Sequence, residues 1–266
     1  MKKFITLFVL TLLVFTTYEA DGQVSVDTTR VLRVLSFNIY HGETMRGDFD
    51  LEQIARVIRE TDPDLVALQE VDLYTGRSGQ RDLASELGLL TRMVPLFGRA
   101  MFFDGGEYGE GILSRSSILS SRNHALPAGE GKEPRSALEV RVILESGDTV
   151  AFIGTHFDHT GEVDRIQQAT RVVEILGEMD LPVLVAGDLN ARPGSQTMDI
   201  LFSDLKPSDP SFAPTIPSDG ARSKIDYVLY GPGNRWRVLE SRVICDEIAS
   251  DHCAFLSVLE LLPASD

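Results

Sequence analysis

Almost every short apolar run in this chain of 266 residues ends on, or starts from, an isolated acid, amide or imidazole. Asn38 follows Val31–Phe37, Glu70 follows Leu65–Gln69, and His156 comes after Val150–Gly154. Asp188 and Asn190 follow Pro182–Ala186, Asp226 lies at the start of Ile225–Leu229, and Asp251-His252 precede Ala254–Leu261. Short apolar runs rich in β-branched residues and bounded by turn formers are strands. An antiparallel strand begins at the edge where its neighbour ends, so all these groups can gather on one rim of a sheet structure.

The intervals between the runs carry helical patterns. Asp50 caps a helix, Gln53 completes a capping-box pattern, and Leu51, Ile54, Ala55 and Ile58 share one face. Asp62-Pro63-Asp64 ends that helix. Asp82–Leu90, Glu162–Met179 and Thr197–Phe202 read as further helices. Ser136–Leu144 alternates Leu138, Val140 and Val142 against Glu139 and Arg141, a half-buried strand in antiparallel pairing, and Arg237–Ile244 is another strand. Gly105–Tyr108 reads as a flexible turn with Glu107 or Tyr108 at the rim, and Lys206–Asp219 as a long surface loop beside the site. His124 reads as a surface residue. Parallel and antiparallel signals in one chain predict a layered α/β domain over residues 31–262, with two mixed sheets. A doubly wound parallel sheet fits less well, because the C-terminal third lacks helices between its strands.

Composition narrows the function. A mean hydropathy of −0.01 with 24% charged residues describes a soluble globular protein. The net charge of −15 repels phosphate backbones at long range, which disfavours broad capture of DNA or RNA but leaves room for a nuclease whose site is neutralised by a cation. Two cysteines cannot make a tetrathiolate zinc site. Cys245 and Cys253 flank Asp251-His252, and either pair in an oxidising compartment or lie as buried free thiols. Lys2 and Lys3 precede an apolar run from Phe4 to Tyr18, with Ala20 and Gly22 beyond it. That pattern predicts a secretory signal over residues 1–22, a short extension over 23–30 and a secreted or periplasmic protein. The run is short for a membrane span, and no stable membrane insertion is expected after cleavage.

The rim would hold four carboxylates, two histidines and two amides. Carboxylates brought so close repel one another unless a cation sits among them. Oxygen-rich ligation by Glu and Asp suits Mg²⁺, Mn²⁺ or Ca²⁺ better than zinc. Charge neutralisation, an oriented water and donors to phosphoryl oxygens are what phosphoryl transfer requires. Asp226 can orient His252 as a carboxylate orients imidazole in other hydrolytic sites.

Leu35–Asn38, Leu68–Asp72, Gly187–Ala191, Lys224–Tyr227 and Ser250–His252 resemble, in order, the signature blocks of the endonuclease/exonuclease/phosphatase superfamily, over roughly residues 31–260. The resemblance implies a four-layered α/β sandwich, two packed sheets with helices outside. It implies Glu70 as principal metal ligand, with Asn38 beside it and Asp251 completing the site or bridging through water. Asp188 and Asn190 would position water and phosphate, and His156 would contact phosphate. His252, paired with Asp226, would be general base or phosphate donor, since family mechanisms differ on whether it or Asp188 takes the proton. Tyr40 stands where the abasic-site nucleases carry an acid. Blocks at Gly105–Gly109, Ile112–Arg115, Pro134–Leu138 and Arg165–Gln168 resemble a bacterial metal-dependent hydrolase branch.

Arg135 and the basic stretch Arg77–Arg81, Arg81 foremost, are the cations expected to meet an anionic substrate, with Tyr108 and His159 at the rim, and His41 either touching substrate or shaping its loop. The expected function is a secreted Mg²⁺- or Mn²⁺-dependent phosphoesterase, monomeric, acting by direct water attack. A nuclease is the less favoured alternative, and a phosphate-ligand binding protein without turnover is the alternative of another class.

Overall fold

The structure is a computed structural model that describes residues 26–264, so the leader expected over residues 1–22 lies outside the described residues. Its strands and helices run in chain order β1 (Val31–Asn38), α1 (Leu51–Thr61), β2 (Leu65–Leu73), α2 (Leu83–Thr91), β3 (Val94–Phe103), β4 (Gly106–Ser114), β5 (Ser117–Leu126) and β6 (Arg135–Ile143). They continue as β7 (Thr149–His156), α3 (Glu162–Gly177), β8 (Val183–Asp188), α4 (Gln196–Leu201), β9 (Lys206–Pro207), β10 (Asp226–Gly231), β11 (Trp236–Ile244) and β12 (Ala254–Leu261).

Local chemistry explains the helix starts. Asp50 Oδ1 accepts from the Glu52 amide at 3.0 Å, and Asp82 Oδ1 accepts from the Ser85 amide at 3.0 Å, each quieting a free helix donor. Two six-stranded sheets form, ordered β11-β12-β1-β2-β4-β3 and β5-β6-β7-β8-β10-β9. Only β1–β2 and β7–β8 pair in parallel; the other pairings are antiparallel. Both sheets are therefore mixed, as the sequence predicts.

Strand alternation separates three apolar layers. Leu35, Phe37 and Leu68 face outward onto Ile54 and Ile58 of α1 and Leu87 of α2. Val34, Ala67 and Ile112 of one sheet meet Leu138, Phe152, Leu184 and Val228 of the other. Ile153, Val185 and Leu229 pack on Ala169 and Val172 of α3 and Met198 of α4. The result is the four-layered α/β sandwich expected from the resemblance.

Two edge strands go unread in the sequence, and two readings change. β3 and β5 lie at the ends of the two sheets and are largely unburied, so they lack the apolar period that announces a strand. Gly105 is a turn residue with φ +78°, but Gly106 to Tyr108 already belong to β4. His124 is a buried residue rather than a surface one, because β5 sets it beside Glu139 of β6, Nε2 to Oε2 2.7 Å. Within the loop from Lys206 to Asp219, Ser208, Thr215 and Ser218 are buried. Thr215 Oγ1 accepts from the amide of Asp226, and the Ser218 amide donates to the carbonyl of Asp251, so this segment braces two strand ends.

Candidate active site

The rim is built by register. His156 stands opposite Asp188 between β7 and β8, and Asp188 opposite Asp226 between β8 and β10. Each lies an even number of residues from a side chain of the central apolar layer (Phe152, Ala186 and Val228) and so projects between the sheets. Asn38 does the same beyond Val34 on the other sheet. β8 can approach β7 this closely because Gly187 has no side chain: a Cβ there would lie 1.9 Å from the carbonyl oxygen of Thr155.

Glu70 reaches the rim differently. By alternation it would share the helix-facing side of Val66 and Leu68. The β2–β4 ladder slips between Leu68 and Val71, and Glu70 takes φ +61° in this bulge. Its carboxylate is thereby carried to Asn38, whose Nδ2 donates to Glu70 Oε1 at 3.2 Å and to Asp188 Oδ2 at 3.3 Å. One buried amide thus ties the acids of the two sheets together. Burial alone would raise the Glu70 carboxyl, but its contacts with His41 and Asn38 outweigh it and hold it below the usual carboxylate range. His41 Nδ1 is 3.5 Å from Glu70 Oε2.

On the C-terminal side, His252 Nδ1 lies 3.1 and 3.0 Å from the two oxygens of Asp226, and its Nε2 lies 3.7 Å from Asp188 Oδ2. Burial opposes charge on this imidazole, but Asp226 and Asp188 dominate and raise its pKa to about 10. Burial, then the like charge of Asp226, pushes the Asp188 carboxyl up. Asp251 joins the group through the turn: Ser250 Oγ donates to the Asn38 carbonyl at 2.7 Å and contacts Asp251 Oδ1 at 3.3 Å. A disulfide between Cys245 and Cys253 closes this turn, settling the pairing that the sequence leaves open.

His156 is held by Arg135, whose Nη1 donates to Nδ1 at 2.9 Å. Because arginine only donates, the neutral imidazole carries its proton on Nε2, 3.5 Å from Asp188 Oδ2. Burial, followed by the charge of Arg135, lowers the His156 pKa and keeps the ring neutral. Asn190, at φ +46°, brings its Nδ2 to 3.1 Å from His156 Nε2 and donates from it to the Phe157 carbonyl, and its backbone amide donates to Asp188 Oδ1. Tyr108 and His159 stand 3.5 and 3.4 Å from the Arg135 guanidinium.

Twelve of the thirteen residues singled out in the sequence therefore meet here: Asn38, His41, Glu70, Tyr108, Arg135, His156, His159, Asp188, Asn190, Asp226, Asp251 and His252. Arg81 does not. Its guanidinium pairs with Glu86 and lies 4.6 Å over the Phe49 ring, beside α1 and α2 on another face. Arg77, four residues earlier in the same basic stretch, lines the pocket instead, with Met101, Phe103 and Glu133. Arg77 carries a sequence signal only as part of that stretch, and the other three carry none.

Two sets of donors invite a cation. Asp188, Asp226 and His252 offer atoms within 4.8 Å of one another, but both ring nitrogens of His252 already face carboxylates, so protons suffice there. Glu70 and Asp251 offer hard oxygens, with the Asn38 amide beside them. Burial and the like charge of Glu70 push the Asp251 carboxyl up, and a cation between them would relieve that repulsion.

Known proteins share this fold. A solved endonuclease/exonuclease/phosphatase from Beutenbergia cavernae DSM 12333 is similar at a TM-score of 0.74 and 26% identity, over 88% of this chain and 72% of that one. A mannosyl-6-phosphatase from Bacteroides thetaiotaomicron VPI-5482 matches at 0.72 and 21%, over 87% and 100%. Protein cwh43 of Schizosaccharomyces pombe is 26% identical over 163 residues, 59% of this chain but only 16% of that protein. The model of the endonuclease/exonuclease/phosphatase family matches residues 35–252, and the chain belongs to that family of phosphoesterase- and nuclease-type hydrolases.

Proposed function

We propose that the chain hydrolyses a phosphate ester with the aid of Mg²⁺ or Mn²⁺, by direct attack of water and without a covalent enzyme intermediate. The observation that carries this reading is the bridge made by Asn38, which joins Glu70 of one sheet to Asp188 of the other inside a single pocket. Glu70 and Asp251 would hold the cation, with Asn38 beside them, and the cation when bound neutralises phosphoryl charge and favours an ionised water or leaving oxygen.

The other roles belong to the chain itself. Arg135 and the Nε2–H of His156 face the phosphoryl oxygens. His252, flanked at both nitrogens by carboxylates, holds both its protons and serves as a positive donor rather than a base. Asp188 is then the proton acceptor: the water oxygen bonds phosphorus as the ester P–O bond breaks, the water proton passes to Asp188, and the alcohol leaves with a proton from solvent. Asp226 fixes the His252 ring.

The disulfide and the leader pattern of residues 1–22 support an exported protein. The acidic surface speaks against a tightly binding nuclease. The deciding experiment is release of phosphate or alcohol from a panel of phosphomonoesters, bis-p-nitrophenyl phosphate and plasmid DNA, with Mg²⁺, Mn²⁺ or chelator. Metal-dependent turnover abolished by D188N supports the reading; binding without turnover across the panel replaces it with a binding protein.

A further inference from the structure

The pocket has a second wall that hydrolysis of a bare phosphate ester does not require. Met101, Phe103, Tyr108, Arg77 and Glu133 line the same cavity of about 350 Å³ as Glu70, His156 and His252. The β3–β4 register explains the shared face, with Met101 opposite Tyr108 and Phe103 opposite Gly106. The Phe103 and Tyr108 rings lie 6.2 Å apart at 58°, and the Arg77 guanidinium carbon sits 4.6 and 5.4 Å from their centroids.

This wall is held in place. Arg77 Nε and Nη2 donate to the two oxygens of fully buried Asp72 at 2.7 and 2.8 Å, and Thr75 Oγ1 donates to the same carboxylate. Nη1 takes no part in that fork. Beside Arg135, Glu133 presents a carboxylate 3.3 Å from Nη2, while its side chain keeps 28% of its surface in solvent. Phe103 itself remains 36% exposed.

A phosphate subsite is complete with imidazole, amide and guanidinium groups, so a half-exposed aromatic ring beside a fixed cation and an acceptor calls for a second ligand group. A polynucleotide would need a basic track, which a net charge of −15 does not supply. An acyl chain would need a continuous apolar channel, and here Arg77 and Glu133 interrupt the apolar surface. A ring that is C–H-rich on one face and carries hydroxyls on its edge satisfies all three groups. The volume, near the lower end of the roughly 300–1,000 Å³ of small-ligand pockets, suits one ring with its phosphate.

We propose that the substrate is a sugar phosphate, its ring lying on Phe103 with hydroxyls to Glu133 and Arg77 and its phosphate at Arg135 and His156. This rests on the hydrolase reading for turnover but not for binding, and the two can fail separately.

The test compares glucose 6-phosphate and mannose 6-phosphate with methyl phosphate and adenosine monophosphate, in wild type, F103A and the conservative F103Y. At least one hexose phosphate should exceed methyl phosphate at least tenfold in kcat/KM. F103A should erase most of that ratio through KM, and F103Y should restore it. A ratio near one in wild type, a ratio that F103A leaves unmoved, or a preference for the nucleotide overturns the proposal. Should no ester turn over, calorimetry of the hexose phosphates against inorganic phosphate decides. Tighter binding of a hexose phosphate that F103A abolishes upholds the sugar site and sinks only the hydrolase reading. Equal affinities, or no hexose phosphate binding, overturn the sugar site itself.

Discussion

Asp226 presents both carboxylate oxygens to Nδ1 of His252, at 3.1 and 3.0 Å, with neither residue more than 5% exposed. The two come from different strands of different sheets, β10 and the turn before β12, so only the packed sandwich brings them together. The pair holds the imidazole in one orientation with its far nitrogen toward Asp188. Replacing the carboxylate by an amide keeps the shape and removes the charge. D226N is expected to lower kcat by about 100- to 10,000-fold with little change in KM, the range of general acid–base and orienting groups. Steady-state kinetics on the best panel substrate check it; a loss confined to KM would show that Asp226 acts on binding instead.

Glu70 and Asp251 should report the cation without any turnover. Adding Mn²⁺ or Mg²⁺ at about a hundred times its Kd should raise wild-type stability by about 2.7 kcal/mol, or roughly 5–10 °C in Tm. E70Q should show no such shift in a thermal melt while keeping a similar Tm in chelator. An equal shift in E70Q would move the cation elsewhere.

Arg81 and Arg135 separate the basic residues by location. R81A loses an ion pair to Glu86 that is more than a third exposed, so activity within about twofold of wild type is expected. R135A removes the donor to His156 and the cation nearest the phosphate subsite, and should raise KM at least tenfold. Parallel kinetics on the two variants check both expectations.

Lys224 gives a pH signature. Its ammonium is buried, 3.3 Å from the Phe255 centroid, and no hydrogen-bond partner reaches Nζ. Burial lowers its pKa from 10.5 to about 8, against the pull of Asp226 and Asp209. A lysine whose folded pKa is depressed binds fewer protons folded than unfolded between these values, so its contribution makes stability rise with pH from about 8 to 10.5. K224M should flatten that part of the profile and gain stability at pH 7. Urea melts at pH 7 and 10 measure the difference, and identical pH slopes in the two proteins would contradict it.

The Cys245–Cys253 bond closes a loop of eight residues that contains Asp251 and His252. Chain-entropy arguments give about 2–3 kcal/mol for a loop of this size. C245A/C253A should therefore melt roughly 5–10 °C lower, with an activity loss exceeding that of a remote destabilising variant matched in Tm. Melting and kinetics of the two variants side by side check the link between loop and site.

The residues themselves determined the layered α/β class, the helix starts at Asp50 and Asp82, and the polar residues at strand ends, because alternation, capping and turn chemistry are local. Those signals sufficed for the acids, amides and imidazoles of the rim. They failed for β3 and β5, whose edge positions bury too little to leave a period, and for His124, buried beside Glu139 of the neighbouring strand. They also could not separate Arg77 from Arg81, which differ only in where the chain turns between β2 and α2. Glu70 shows the division most directly. Its identity was legible, but by alternation it points at the helices, and only the bulge against β4, with φ +61°, swings it to Asn38 and the opposite sheet. The disulfide, the proton on His156 Nε2 and the aromatic wall at Phe103 belong to the same class. Each depends on distances between segments far apart in the chain, which side-chain packing between two sheets sets and no local pattern records.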